Sequence, residues 1–153
     1  LWSPLLSVHC KKLTGLDLSP EMLKIAEVKQ REGGSSYYHH VIEADIRTHL
    51  LTQKVPVYDA IVAANLCPIL GGLAPFLDGA AKALTPGGWL IFSANKLDEG
   101  EGYQLNNQTR RFAHSADYLQ KQAARAGLLP RILKQAPIYE GEPAWMVVLQ
   151  KSA

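Results

Sequence analysis

Two cysteines, Cys10 and Cys67, are all that 153 residues contain. They are too few and too far apart for a disulfide framework, so a reducing compartment, the cytoplasm, is the expected setting. No apolar run approaches the roughly 20 residues that span a bilayer, and no signal peptide is visible. An excess of one charge sign is missing too: 16 Lys and Arg against 14 Asp and Glu leave a net charge of +2. The densest basic clusters are Lys11-Lys12 and Arg110-Arg111, which is no electrostatic footprint for nucleic acid. His9 with Cys10, and His39 with His40, lack the spacing that puts metal ligands on one face, so no metal site is expected. No repeat, low-complexity tract or linker interrupts the chain. What is present, 47% hydrophobic and 20% charged residues, is the composition of an ordinary globular protein, and the length suits one domain over residues 1–153 with a proper core.

The most informative stretch is Leu13-Thr-Gly-Leu-Asp17-Leu-Ser-Pro20-Glu-Met22. It reads as a short buried strand that ends in an acid and runs directly into a helix. Ser19 is a good N-cap, Pro20 sits where a missing N–H has no consequence, and Glu21 suits the positive end of the helix dipole. Asp17 therefore lies at the carboxyl edge of a strand, where open α/β sheets bind ligands. A carboxylate there either shapes the turn or accepts hydrogen bonds from the vicinal hydroxyls of a ribose.

Strand-like runs alternate with helical ones. Strands are predicted over residues 12–17, 40–45, 58–64 and 89–95, and helices over 4–10, 20–31, 74–84 and 115–126. The strands are apolar on both faces, as in Ala60-Ile-Val-Ala-Ala64, which suits a parallel sheet covered on both sides. Residues 46–54 form at most a short helix. The last helix is capped by Ser115 and ended by Gly127,. The final third breaks the alternation: 130–138 and 144–150 read as strands joined by a loop too short for anything but an antiparallel pair.

Four segments in this order, Gly15-Leu-Asp17-Leu-Ser-Pro-Glu-Met-Leu, Glu43-Ala-Asp45-Ile46, Tyr58-Asp59-Ala-Ile-Val and Leu84-Thr-Pro-Gly-Gly-Trp-Leu-Ile-Phe92, resemble class I S-adenosylmethionine-dependent methyltransferases. The resemblance covers essentially the whole chain. It implies a Rossmann-like α/β fold, a mostly parallel sheet with a C-terminal antiparallel hairpin, and S-adenosylmethionine as cofactor. Arg111-Phe-Ala-His114-Ser-Ala-Asp-Tyr118 further resembles a bacterial subgroup of predicted methyltransferases often fused to tetratricopeptide repeats; no such repeat is present here.

Position by position, the resemblance implies that Asp17 binds the ribose hydroxyls, with Leu18 beside the adenine. Asp45 would accept from the adenine amino group, the N–H of Ile46 would face a ring nitrogen, and Asn65 would close the fourth family strand where cofactor and substrate meet. The glycines of Thr85-Pro-Gly-Gly88 are structural. The family's glycine-rich loop and first strand are absent: Leu1-Trp-Ser-Pro resembles the residues just after that loop. The chain also begins with Leu and not Met, and is expected to be an incomplete copy.

Methyl transfer asks mainly for alignment and desolvation. His114, before a helix and after the long loop 96–109, is the candidate base if the acceptor arrives protonated, or else a residue that helps cap the helix. Arg111 is the candidate for an anionic substrate group, or a solvent-exposed charge. Asn65-Leu-Cys-Pro68 echoes the Asn-Pro-Pro-aromatic motif of enzymes that methylate amino groups, but Ile69 and Leu70 stand where the aromatic belongs. Cys67 reads as a small core residue, and Gly100 and Gly102 as parts of a solvated loop. The substrate is expected to be a small molecule, with no nucleic acid or membrane partner. Two rivals remain. An NAD(P)-dependent oxidoreductase would also use Asp17, though the terminal hairpin and Asp45-Ile46 argue against it. A non-catalytic binding module would explain the absent loop.

Overall fold

Each element forms where the local sequence supplies its start and stop, and the computed structural model describes residues 2–29, 34–139 and 142–153. The chain divides into two compact units, Leu1–His49 and Leu50–Ala153.

In the first unit a short helix α1 (Ser3–Ser7) precedes strand β1 (Thr14–Asp17), helix α2 (Pro20–Val28) and strand β2 (His40–Glu43). Ser19 caps α2 by accepting from the Met22 N–H, and Pro20 occupies the first turn. The helix ends earlier than predicted: Lys29 is already extended at ψ 114°, and residues 30 and 31 lie outside the described residues. The strands β1 and β2 pair in parallel, Asp17 opposite Glu43. Parallel strands need a crossover, and α2 supplies it.

Helix α3 (Ile46–Leu51) leads into the second unit, which holds strand β3 (Tyr58–Ala63), the single turn α4 (Cys67–Leu70), helix α5 (Ala74–Ala83), strands β4 (Leu84–Lys96), β5 (Tyr103–Asn106) and β6 (Arg111–His114), helix α6 (Ala116–Arg125), and strands β7 (Leu128–Tyr139) and β8 (Glu142–Lys151). The expected terminal hairpin is present: β7 pairs antiparallel with β8, and β8 antiparallel with β4. On the other side of β4, β3 runs parallel along it as far as Phe92. Asn95 and Lys96 then pair with Ala113 and His114 of β6. Asn95 already uses one edge for Ala144 of β8, so β6 takes the edge that β3 has left.

Two expectations need correction here. The loop 96–109 contains β5, which pairs antiparallel with β6 from Tyr103–His114 to Asn106–Arg111. The strand at 89–95 begins earlier, at Leu84, with an irregular step between Tyr58 and Ala60 of its partner. The turn Thr85-Pro-Gly-Gly88 makes that step: Gly87 has φ +76°, and a Cβ on Gly88 would lie 2.8 Å from the Thr85 carbonyl oxygen. Both glycines are structural, as expected.

The core of this unit lies between the sheet and its helices. Phe76 of α5 meets Phe92 of β4 edge to face at 6.1 Å, and Leu73, Leu77, Leu84, Leu90, Leu128 and Leu149 are fully buried beside Cys67. Burial pushes the Cys67 thiol up, well beyond its ordinary range, so it packs as a small hydrophobe and offers no thiolate. Among the described residues no helix is long and apolar enough to cross a membrane, and no cluster of His, Cys, Asp and Glu could hold a metal ion.

Candidate active site

In the first unit the two predicted acids stand at the carboxyl ends of neighbouring strands. Asp17 closes β1, and Asp45 follows β2 by two residues, with Asp17 opposite Glu43 in the register. Strand spacing of roughly 5 Å therefore puts the two acids on one edge of the sheet. Asp17 Oδ1 accepts from the Ser19 N–H at 3.0 Å, so the acid does shape the turn. Its Oδ2 has no donor among the described residues and remains an acceptor for a ligand. Leu18 beside it is 65% exposed, an apolar surface at the same edge.

Asp45 is more committed. Its Oδ1 accepts from the Arg47 and Thr48 N–H groups at 2.8 and 3.2 Å, which makes it the N-cap of α3,. The Arg47 guanidinium adds bonds from Nε and Nη2, the closest 2.6 Å to Oδ2. These bonds hold its carboxyl down to about 2, with the Arg47 side chain the leading cause. An adenine amino group can reach this carboxylate only by sharing Oδ2 with Arg47. The Ile46 N–H, in the first turn of α3, is one of the donors that helix geometry leaves without an intrahelical acceptor.

In the second unit Asn65 and Arg111, far apart in sequence, come together: Arg111 Nη1 donates to Asn65 Oδ1 at 3.2 Å. Asn65 follows β3 in the left-handed region, φ 58°, which Asn tolerates better than most residues. Its N–H donates to Ser93 Oγ of β4 at 2.9 Å. Ser93 gave no signal in the sequence, because a serine in an apolar strand reads as filler.

His114 is placed differently from its expected role as a base. It is fully buried, its ring against Tyr118 at 5.8 Å and Tyr103 at 6.0 Å. Nε2 lies 2.7 Å from the Gly71 carbonyl oxygen; a carbonyl only accepts, so Nε2 carries the proton. Nδ1 is then the one basic lone pair, and it is buried without a partner among the described residues. Burial lowers the pKa, against a smaller opposing effect of the Gly71 bond. Sealed from solvent, His114 fastens β6 to the turn at Gly71. A Cβ on Gly71, whose φ is +63°, would lie 3.0 Å from the Phe112 ring, so this contact requires glycine.

Parallel strands joined through a helix in the first unit, and a mixed sheet ending in an antiparallel hairpin in the second, are the parts of a Rossmann-like fold,. The model of the family described as "Methyltransferase domain" matches residues 2–90, and the chain belongs to that family. Over 81 residues, 53% of the chain, it is 31% identical to a ubiquinone biosynthesis O-methyltransferase of Hydrogenovibrio crunogenus and covers 32% of that protein. The chain thus spans about a third of the length of the curated relatives it matches. Among solved structures, the N-methyltransferase NodS of Bradyrhizobium japonicum, in complex with S-adenosylhomocysteine, superposes with a TM-score of 0.71 at 21% identity, over 99% of this chain and 72% of that one. The 1,6-didemethyltoxoflavin-N1-methyltransferase of Burkholderia thailandensis gives 0.69 at 15% identity, over 93% and 62%. Both likenesses establish the fold.

Proposed function

We propose that this chain is part of an S-adenosylmethionine-dependent methyltransferase acting on a small molecule. The observation that carries the reading is Asp17 at the end of β1, with one carboxylate oxygen fixed by Ser19 and the other open to a ribose hydroxyl. Asp45, the Ile46 N–H and the apolar Leu18 complete the adenosine side; of the second unit's residues, Asn65 is assigned to the cofactor and Arg111 to an anionic group of the substrate. Once bound, the sulfonium supplies an activated methyl group. The residues named here hold, orient and desolvate, and no base in the described residues is required of them. The small net charge favours a metabolite over a nucleic acid, and the two free thiols, Cys10 and Cys67, fit a reducing cytoplasm.

Among the described residues β1 pairs with β2 alone and β3 with β4 alone, so each keeps one edge without a strand partner. Such edges can take a further strand, and a strand of this kind with its loop is proposed to supply the methionine half of the site. Residues 1–153 alone are then expected to bind cofactor weakly, and an N-terminally extended protein more tightly.

Calorimetry tests both statements. The extended protein should bind S-adenosylmethionine or S-adenosylhomocysteine and not NAD. Asp17→Ala in that protein should weaken binding by roughly 1.5–3 kcal/mol, the scale of a hydrogen bond to a charged group, without loss of the circular dichroism of the fold. Unchanged affinity in the folded variant would reduce Asp17 to a turn residue. Binding with no methyl transfer to any acceptor in a metabolite pool would mark a non-catalytic module.

A further inference from the structure

A polar cavity of about 260 Å³ lies at the carboxyl end of β4, lined by Asn95, Lys96, Asp98, Asn106, Thr109 and Pro143. The register fixes what stands beside it. Asn95 pairs with Ala113 and Asn106 with Arg111; directly opposed residues share a sheet face, as do residues two apart along a strand. Asn95, Asn106 and Arg111 therefore occupy one face, together with Ser93, which holds Asn65.

The charges around the cavity do not balance. Lys96 and Asp98 pair with each other at 2.7 Å. Arg111 makes one side-chain hydrogen bond, to the neutral Asn65, and has no carboxylate partner among the described residues. A guanidinium carries five donors in a fixed fork, so four remain unspent on a half-buried side chain. Its backbone is set by a tight turn: the Arg110 N–H donates to the Asn106 carbonyl at 2.8 Å, and Arg110 is held at φ 57°, an unfavourable conformation for arginine. Asn106 Oδ1 is taken by the N–H groups of Gln108 and Thr109, which leaves its amide N–H₂ as a donor.

We infer that this cleft receives the methyl acceptor and that the acceptor carries an oxyanion, a carboxylate or a phosphate, held at the margin of the cleft, beside Asn106, by the unspent donors of Arg111,. Asn95, Asn106 and Thr109 offer neutral hydrogen-bonding groups to the rest of the molecule. The volume, at the small end of metabolite pockets, limits it to about one ring or an equivalent chain. This inference deepens the methyl-transfer reading and rests on it for the word acceptor, but the binding it predicts needs no cofactor.

The test is a titration of the 153-residue chain with benzoate, phenyl phosphate and benzamide, followed through the Arg111 Nε–H and the Asn95 and Asn106 side-chain amide signals by NMR. One of the two anions should shift these signals saturably, at least tenfold more tightly than neutral benzamide, and the tighter anion names the source. Arg111→Gln should erase the tenfold preference and Arg111→Lys restore part of it. Should Arg111→Gln fail to fold, Asn106→Asp, which adds a like charge to the same face, should weaken the anion at least tenfold. Equal binding of benzoate, phenyl phosphate and benzamide overturns the inference, as does no saturable shift from either anion, or a folded Arg111→Gln that keeps the preference. Failure of the extended protein to bind S-adenosylmethionine would sink the functional reading and leave this result standing.

Discussion

Among the described residues of the first unit a single hydrophobic side chain, Leu23, is buried, while Leu18, Met22, Ile25 and Val28 are each more than half exposed. In the second unit the buried set includes Leu50, Leu73, Phe76, Leu77, Leu90, Phe92, Leu119, Val147 and Leu149. The unit that carries Asp17 and Asp45 is thus the one with little core of its own. The difference shows that placing two acids takes only local devices: a strand end, the Ser19 cap and the Asp45 cap. A stable sheet takes apolar layers. Segments that meet a ligand are commonly drawn from the less stable part of a fold, and the acids proposed to bind cofactor lie in the unit with fewer buried side chains.

The sharpest test of the contrast is truncation of one core residue in each unit. Phe76→Ala should destabilise the chain by about 3–5 kcal/mol in urea denaturation, and Leu23→Ala by about 2 kcal/mol or less, since fewer neighbours surround the space it leaves. Equal losses would erase the distinction. Hydrogen exchange reads it without mutation: amides of β1 and β2 should open at a free energy at least about 2 kcal/mol below those of β4 and β8. Uniform protection would mean that the units unfold as one.

Two further effects are smaller and depend on pH. His114 is buried neutral, with a folded pKa below its ordinary value. In the unfolded chain it gains a proton as pH falls below about 6.5, while the folded state resists, so stability is full above that pH and declines beneath it. The slope reaches at most about 1.4 kcal/mol per pH unit. His114→Phe should flatten the profile between pH 7.5 and 5; a variant with an unchanged slope would show that the decline lies elsewhere. Smallest is the Asp45–Arg47 pair. Its depressed carboxyl contributes stability above about pH 4 that is lost as pH falls through about 2,. Arg47 is nearly half exposed, so solvent screening holds the contribution under about 1 kcal/mol. Arg47→Ala should move the Asp45 titration, followed by carboxyl NMR, back toward about 4, and an unmoved titration would assign the shift to the helix amides alone.

How much of this was legible from the sequence depends on how local each feature is. The caps at Ser19 and Ser115 and the terminal hairpin rest on neighbours within a few residues and are present, while the parallel strands are present with shifted ends. The β5–β6 hairpin was missed because Gly100, Gly102 and Asn107 signal a loop, and four-residue strands are too short to show a period. The surroundings of His114 could not be read either, since Gly71, Tyr103 and Tyr118 reach it from three different elements. The cap at Asp45 is the instructive omission. An acid directly before an apolar helix start, with Arg47 two residues on, is a cap signature, and the family resemblance drew attention to the ligand instead.

The order of synthesis adds a constraint of another kind. The strand β8, which lies between β4 and β7 in the sheet, is also made after every other element of its unit. Until it leaves the ribosome, β4 has no antiparallel neighbour and β7 has nothing to pair with. Both present open edges during elongation, in the state where strand edges recruit other chains. Early strands thus wait on a late one. A pause or premature stop before Trp145 would release a chain with two sticky borders, and a chaperone that shields extended segments would matter most in that interval.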